Sequence, residues 1–290
     1  MKLTKHVVLG LGCKLLLGVC VAFMAAGDVL AAQADEKIPR IVVKGSLDAM
    51  AGHVQGASAS KDAIYFSHVA GIFKIDWNGN VLKHVPATRH TGDLCYHDGK
   101  VYSVLGTWGS NGQTKVCRLQ TWDADLNFLS EKDIPGLLGM DGVTVLDGIL
   151  YHGIGKGSSD PHASHALGRI DLKTMEPLSR LAFELPYKTH FGPQNLTTDG
   201  TLVYMTFYPV KGAPYAISSC DKDGRLVAHY KLHAGQGFER LPKGRFAGER
   251  PRFFRVISRV GKQKGGKTIP PSVTIDFYEL ADGMFRDITE

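Results

Sequence analysis

Three histidines and three acids stand at matching points of this chain. His53 lies two residues before the pair Gln55-Gly56, and His90 two residues before Gly92-Asp93. His190 lies a little further ahead of Gln194-Asn195. Among the acids, Asp93 closes the second pair, Asp141 opens the pair Asp141-Gly142, and Glu239 follows Gly235-Gln236-Gly237. Residues of these types support three kinds of chemistry. Neutral imidazoles with a carboxylate ligate a divalent transition metal, which polarises a carbonyl or acidifies a bound water. That reading expects His53, His90 and His190 as ligands, with Asp93, Asp141 or Glu239 completing the shell. Carboxyls brought close together without a metal split their pKa values into one acid and one base, the arrangement used in glycoside cleavage. A histidine among them could abstract a proton for a lyase. In the third reading the same groups hold water in a channel or satisfy backbone groups. Gln55, Arg89, Gln194, Asn195 and Arg240 flank these positions as candidate substrate contacts.

What positions them is a repeat. The stretches QGASASKDAIYFS, GDLCYHDGKVYSV, DGVTVLDGILYHG and QNLTTDGTLVYMT share one pattern. Each has a small polar pair, a short strand, a turn rich in Asp and Gly, and an apolar pair ending in tyrosine. The tyrosines are Tyr65, Tyr102, Tyr151 and Tyr204. A third strand follows in each unit (GIFKIDWNG, KVCRLQTWD, LGRIDLKT, AISSCDKDG), ended by hairpin residues such as Asn78-Gly79 and Asp223-Gly224. A fourth strand completes it. A more diverged unit starts at Gly235, with Phe253-Phe254 near the tyrosine position and VTIDFYEL as its third strand. Runs with helical period are absent from residue 35 onward.

Four short strands per unit with regular turns predict an all-β fold, a β-propeller of four-stranded antiparallel blades. The expected count is five blades. Six is the alternative, if 236–290 holds two compressed ones. The leading strand IVVKGS (41–46) is expected to pair into the last blade and close the ring. The polar pair, the Asp-Gly turn, the tyrosine and the K-I-D-x-x-G-x-V run from Lys74 to Val81 together resemble secreted propellers of the NHL-repeat, gluconolactonase and glutamine cyclotransferase kind. The resemblance spans nearly all of residues 35–290 and lies at the level of the fold. It implies a site at the centre of one face and carries over no reaction. No series of Asp boxes or WD dipeptides is present, which argues against sialidase-like and WD-repeat assignments.

In a propeller the innermost strand of each blade lines the central channel, and the segments leading into it share a face with the loops between second and third strands. Those lead-in segments are GHVQG, RHTGD, GMDG, THFGPQN and GQGFER, which contain the residues named above. The loops add His68, Trp108, Asp160, His162 and His165. Convergence of polar groups from separate blades suits a small-molecule site. The polar identities differ from blade to blade, whereas the tyrosines repeat. The tyrosines are therefore read as core.

The rest of the chain bounds the function. Residues 1–34 have the pattern of a bacterial Sec-type signal peptide: Lys2 and Lys5, an apolar run from Leu15 to Ala26, and Ala32-Gln33-Ala34 before Asp35. The expectation is a periplasmic or secreted protein with a single propeller domain over 35–290 and no membrane span in the mature chain. The net charge of +6 is mild, and much of it clusters from Lys262 to Lys267. A nucleic-acid partner is not expected, and a polyanion surface at Lys262, Lys264 and Lys267 is a weak reading. Cys95, Cys117 and Cys220 are read first as buried thiols, with a Cys95–Cys117 disulfide as the lesser alternative. There is no phosphate-binding glycine loop, nucleotide fingerprint or nucleophile elbow. The leading expectation is an exported enzyme, a hydrolase or lyase that is metal-assisted if the histidines converge, acting on a small polar substrate. The alternative is a non-catalytic ligand-binding or protein-interaction propeller.

Overall fold

The repeat units become antiparallel sheets because short runs rich in β-branched and aromatic residues are joined by tight turns. In the computed structural model, the described residues are 37–50, 52–87, 90–108, 114–134, 140–154, 161–246, 250–259, 263–264, 267–268 and 271–290. The segment read as a signal peptide, the residues Arg89, Asp160 and Lys262, and the side chains of Trp108, Lys264 and Lys267 lie outside the described set. Residues Lys37–Glu290 form one compact unit.

After β1 (Ile41–Val42), the first sheet is β2 (Val54–Ala59), β3 (Ala63–His68), β4 (Gly71–Asp76) and β5 (Val81–Pro86). The second is β6 (His90–His97), β7 (Lys100–Trp108), β8 (Thr114–Asp123) and β9 (Phe128–Ile134). Seven strands follow in chain order: β10 (Met140–Leu146), β11 (Ile149–Ile154), β12 (His162–Asp171), β13 (Leu181–Thr198), β14 (Val203–Pro209), β15 (Ile217–Cys220) and β16 (Leu226–Tyr230). The strands β17 (Phe238–Arg240), β18 (Arg252–Arg259), the short ladder β19 (Gln263–Lys264) with β20 (Lys267–Thr268), β21 (Ser272–Ala281) and β22 (Met284–Asp287) complete the chain. The described residues contain no helix. The architecture is an all-β propeller.

The seven-stranded sheet is two units that share β13. Leu181 to Thr189 pair with β12, and Thr189 to Thr198 pair with β14. The lead-in segment THFGPQN is thus part of one long strand with a register break between His190 and Asn195, where a loop was expected. The stretch 236–290 holds one sheet together with the β19–β20 ladder. Both chain ends complete that sheet: β21 pairs with β1 through Ile41–Ile275 and with β22 through Tyr278–Asp287. The expected pairing of the leading strand into the last sheet is present.

The repeated residues have defined duties. Asp98-Gly99 and Asp147-Gly148 take positive φ at both positions, the backbone of a type I′ hairpin turn. Tyr65, Tyr151 and Tyr204 are buried in their second strands. Tyr65 Oη donates to Ala124 O at 2.8 Å and Tyr151 Oη to Lys222 O at 3.1 Å, each reaching the turn at the end of a third strand in the next unit. The residue ending each third strand, Asp76, Asp123, Asp171 or Asp221, caps its own turn by accepting backbone N–H groups. The cores lie between neighbouring sheets. Val104, Leu119 and Val143 pack together in one, and Tyr204, Phe238 and Phe253 in another.

Candidate functional site

The polar pairs singled out in the sequence are β-bulges. Register slips between Val54 and Gly56, between Thr91 and Leu94, between Met140 and Val143, and between His190 and Asn195. Gln55, Asp93, Asp141 and Gln194 all fall inside these slips. A bulge inserts an extra residue, bends the strand and re-aims a side chain, which is why bulges collect near active sites. Here the same device recurs on four innermost strands and turns four polar side chains out of the ladder pattern.

Close approach makes the glycines of two pairs obligatory. A Cβ on Gly56 would overlap the Asp93 carboxylate and Cα. One on Gly142 would lie 2.8 Å from Leu196 Cγ and 3.0 Å from Asn195 C. The inner strands of adjacent units therefore touch through backbone at these points.

Asp93 and Asn195 hold that contact together. Asp93 is buried, and its Oδ2 accepts from Val143 N at 2.9 Å and Leu196 N at 3.0 Å. Burial pushes its carboxyl well above the usual range, against the pull of these backbone donors. Asn195 is also buried; its Nδ2 donates to Gln55 O at 2.9 Å and its Oδ1 accepts from Phe238 N at 3.3 Å. Glu239 lies close enough to Asp93 to feel its charge. Burial first and then Asp93 hold the Glu239 carboxyl well above its ordinary value, while Thr197 bonds it. Arg240 is committed to the scaffold: its N donates to Thr197 Oγ1 at 3.1 Å and its Nη1 to Asp199 O at 2.5 Å.

Asp141 has a different setting. It is partly buried, Gln194 Nε2 donates to its Oδ2 at 3.2 Å, and desolvation pushes its carboxyl up to about 6. Its charge is also felt by Tyr208 at the end of β14. His53 is exposed, with its Nε2 3.3 Å from Gln55 Nε2. Burial and then the neighbouring His53 hold His90 below its ordinary pKa. His190 sits opposite Tyr208 in the β13–β14 ladder. Among the described residues no group of three or more His, Cys, Asp or Glu is arranged to hold a metal ion, so the three imidazoles do not form a ready donor set.

Two loop histidines are buried within their strands. His68 is buried at the end of β3, its Nε2 3.1 Å from His84 Nε2 on β5. His165 is buried within β12, its Nε2 3.1 Å from Thr189 Oγ1. The cysteines are buried, and Cys95 is a thiol, so the alternative Cys95–Cys117 disulfide does not form.

Sequence reasoning missed Gln236, Tyr208, Phe191 and Arg255. Gln236 Nε2 donates to Gln55 Oε1 at 2.6 Å. Phe191 adopts φ 62°, a left-handed backbone that is strained for an aromatic residue, and stacks edge-on against Tyr208 at 6.0 Å. Gln236 lay within a quoted lead-in segment, GQGFER. Arg255 had one available signal, a lone charge inside the apolar run FFRVI.

No family model matches the chain, and no curated protein matches it. Among solved structures, the glutaminyl cyclase of Myxococcus xanthus superposes with a TM-score of 0.55 at 12% identity, over 84% of this chain and 97% of that one. A putative exo-beta-1,3-galactanase from Bifidobacterium bifidum s17 gives 0.56 at 13% identity, over 87% and 96%. The GH43_1 enzyme from Xanthomonas citri gives 0.51 at 14%, over 81% and 90%. At these identities the likeness is one of fold.

Proposed function

We propose that the protein is an exported propeller enzyme, a hydrolase or lyase, that acts on a small polar substrate at the mouth of its central channel, with Asp141 as the proton-transfer group. One observation carries the reading. Asp141 is raised by a bulge out of its ladder, oriented by Gln194, and tuned to about 6, the region where a carboxyl serves best as a base at neutral pH. As the base, Asp141 takes a proton from water or from the substrate. Asp93 and Glu239 are assigned to keeping the inner strands together, because their carboxyls are met by backbone and threonine donors. The fold likeness to a cyclase and two glycoside-cleaving proteins is compatible with an enzyme, and the signal-like residues 1–34 support export.

The test is turnover of a panel of aryl glycosides, aryl esters and lactones by wild type and Asp141→Asn. The expected result is hydrolysis or elimination on at least one class, reduced by about 10²-fold or more in the variant without loss of fold. Equal turnover by Asp141→Asn would overturn the assignment. Saturable binding with no turnover on any class would favour the non-catalytic ligand-binding propeller.

A further inference from the structure

Arg255 occupies an unusual place. It lies mid-strand in β18, on the side of Phe253, facing the unit that carries Tyr208. The residue across the ladder is Asp276, whose Oδ1 is taken by Arg40 Nε at 2.6 Å. Tyr278 hydrogen-bonds the guanidinium, and no carboxylate pairs with it among the described residues. Its Nε is buried and unbonded. A buried donor without an acceptor is uncommon in folded proteins and calls for a reason.

Arg255 is among the residues lining a cavity of about 350 Å³ formed by residues of the last two units and the first. Its other polar walls are His53, Tyr208, His233, Gln236 and Ser258. Ser258 Oγ is occupied by Val54 N at 3.0 Å. Burial pushes the Tyr208 hydroxyl up to about 12, so it stays protonated as a donor. Among the described residues no carboxylate lines the cavity. Gln236 joins it to Gln55, and the Tyr208 hydroxyl feels the charges of both Asp141 and Arg255.

We propose that this cavity is a carboxylate-binding subsite in which Arg255, assisted by the Tyr208 hydroxyl, holds a carboxylate of the substrate acted on at Asp141. The inference deepens the proposed function and rests on it for the reacting end of the substrate. A guanidinium fork matches the two oxygens of a carboxylate. A phosphate would fit the same fork. The cavity offers one permanent positive charge and no helix N-terminus, and that balance favours a monovalent group.

The experiment titrates succinate, its neutral isostere succinamide and inorganic phosphate into the full chain at constant ionic strength, reading the Kd. Succinate is expected to bind at least about tenfold more tightly than succinamide and than phosphate. Arg255→Met should lose that preference, and Arg255→Lys should keep part of it. If Arg255→Met does not fold, Tyr208→Phe serves in its place and should weaken succinate by several-fold. Equal binding of succinate and succinamide, unchanged affinity in Arg255→Met, or no binding of succinate would each overturn the subsite. Tighter binding of phosphate would overturn the carboxylate assignment. If Asp141→Asn kept full turnover while the Arg255 results held, the catalytic assignment would fail and the subsite would stand.

Discussion

Asp93 Oδ2 accepts the Leu196 N–H at 3.0 Å across 103 residues of sequence. The same oxygen takes Val143 N at 2.9 Å, so one carboxyl of the second sheet binds the inner strands of the two units that follow. Asp93→Ala would leave two buried N–H groups unpaired and is expected to cost about 3 kcal/mol or more. Asp93→Asn keeps an oxygen acceptor and should cost under about 1 kcal/mol at neutral pH. Urea denaturation of both variants checks this. Equal destabilisation by the two substitutions would remove the clasp role.

Two classes of carboxyl give stability opposite dependences on pH. Asp123, Asp171 and Asp221 are held below their ordinary pKa by backbone donors in their turns, so their contribution is lost as pH falls through the lowered values. Asp93 and Glu239 are held well above theirs by burial, so their contribution is lost as pH rises through the raised values. The melting temperature is therefore expected to peak in mildly acidic solution. In Asp93→Asn the fall on the alkaline side should be shallower, as thermal melts across pH would show.

A second pH effect concerns activity. With Asp141 as a base, the rate should rise as pH passes about 6, and Asp141→Asn should lack that limb. Gln194 stabilises the ionised carboxyl with its Nε2 donor. Gln194→Leu should therefore move the limb to higher pH while leaving Asp141 in place. A limb that stayed fixed in Gln194→Leu would separate the two residues.

Much of this was legible in the chain. The tyrosines and the Asp-Gly turns identified the second strands, because turn chemistry and packing act locally and recur. The small polar pairs marked the inner strands, although their nature as bulges emerged only with the register. The sequence left Asp93 open between acid, metal shell and backbone partner because its partners are backbone N–H groups of other units, and backbone leaves no residue-specific trace. Arg255 and Gln236 escaped because the last unit lacks the tyrosine and the Asp-Gly turn that index the others. The break inside β13 was hidden because no turn residues interrupt its two halves except Gly192-Pro193.

Contact through glycine sets a steric prediction. Gly142→Ala would press a methyl into Leu196 and the Asn195 carbonyl carbon, within a region closed on both sides by buried strands. A loss of about 1–3 kcal/mol is expected by denaturation. A neutral effect would mean that the two inner strands can separate more easily than their contacts indicate.

The thiols should be silent in the native state. Cys95 is raised well above its ordinary pKa by burial and then by Asp93 and Glu239, and burial raises Cys117 and Cys220 to about 12. Native protein is expected to resist alkylation with iodoacetamide, and denatured protein to take up label at all three positions without prior reduction. Label blocked until a reductant is added would restore the disulfide.

The last sheet has an outer edge assembled from both extremes of the unit: Ile41 and Val42 beside one end of β21, Met284 to Asp287 beside the other. Arg40 and Asp276, 236 positions apart in sequence, pair beside it. The stretch 238–287 supplies four strands of that sheet, and β1 adds the fifth from the other extreme of the unit. Loop closure over such a span is slow and is repaid late. Removal of either β1 or β22 would leave part of the same edge of β21 unpaired.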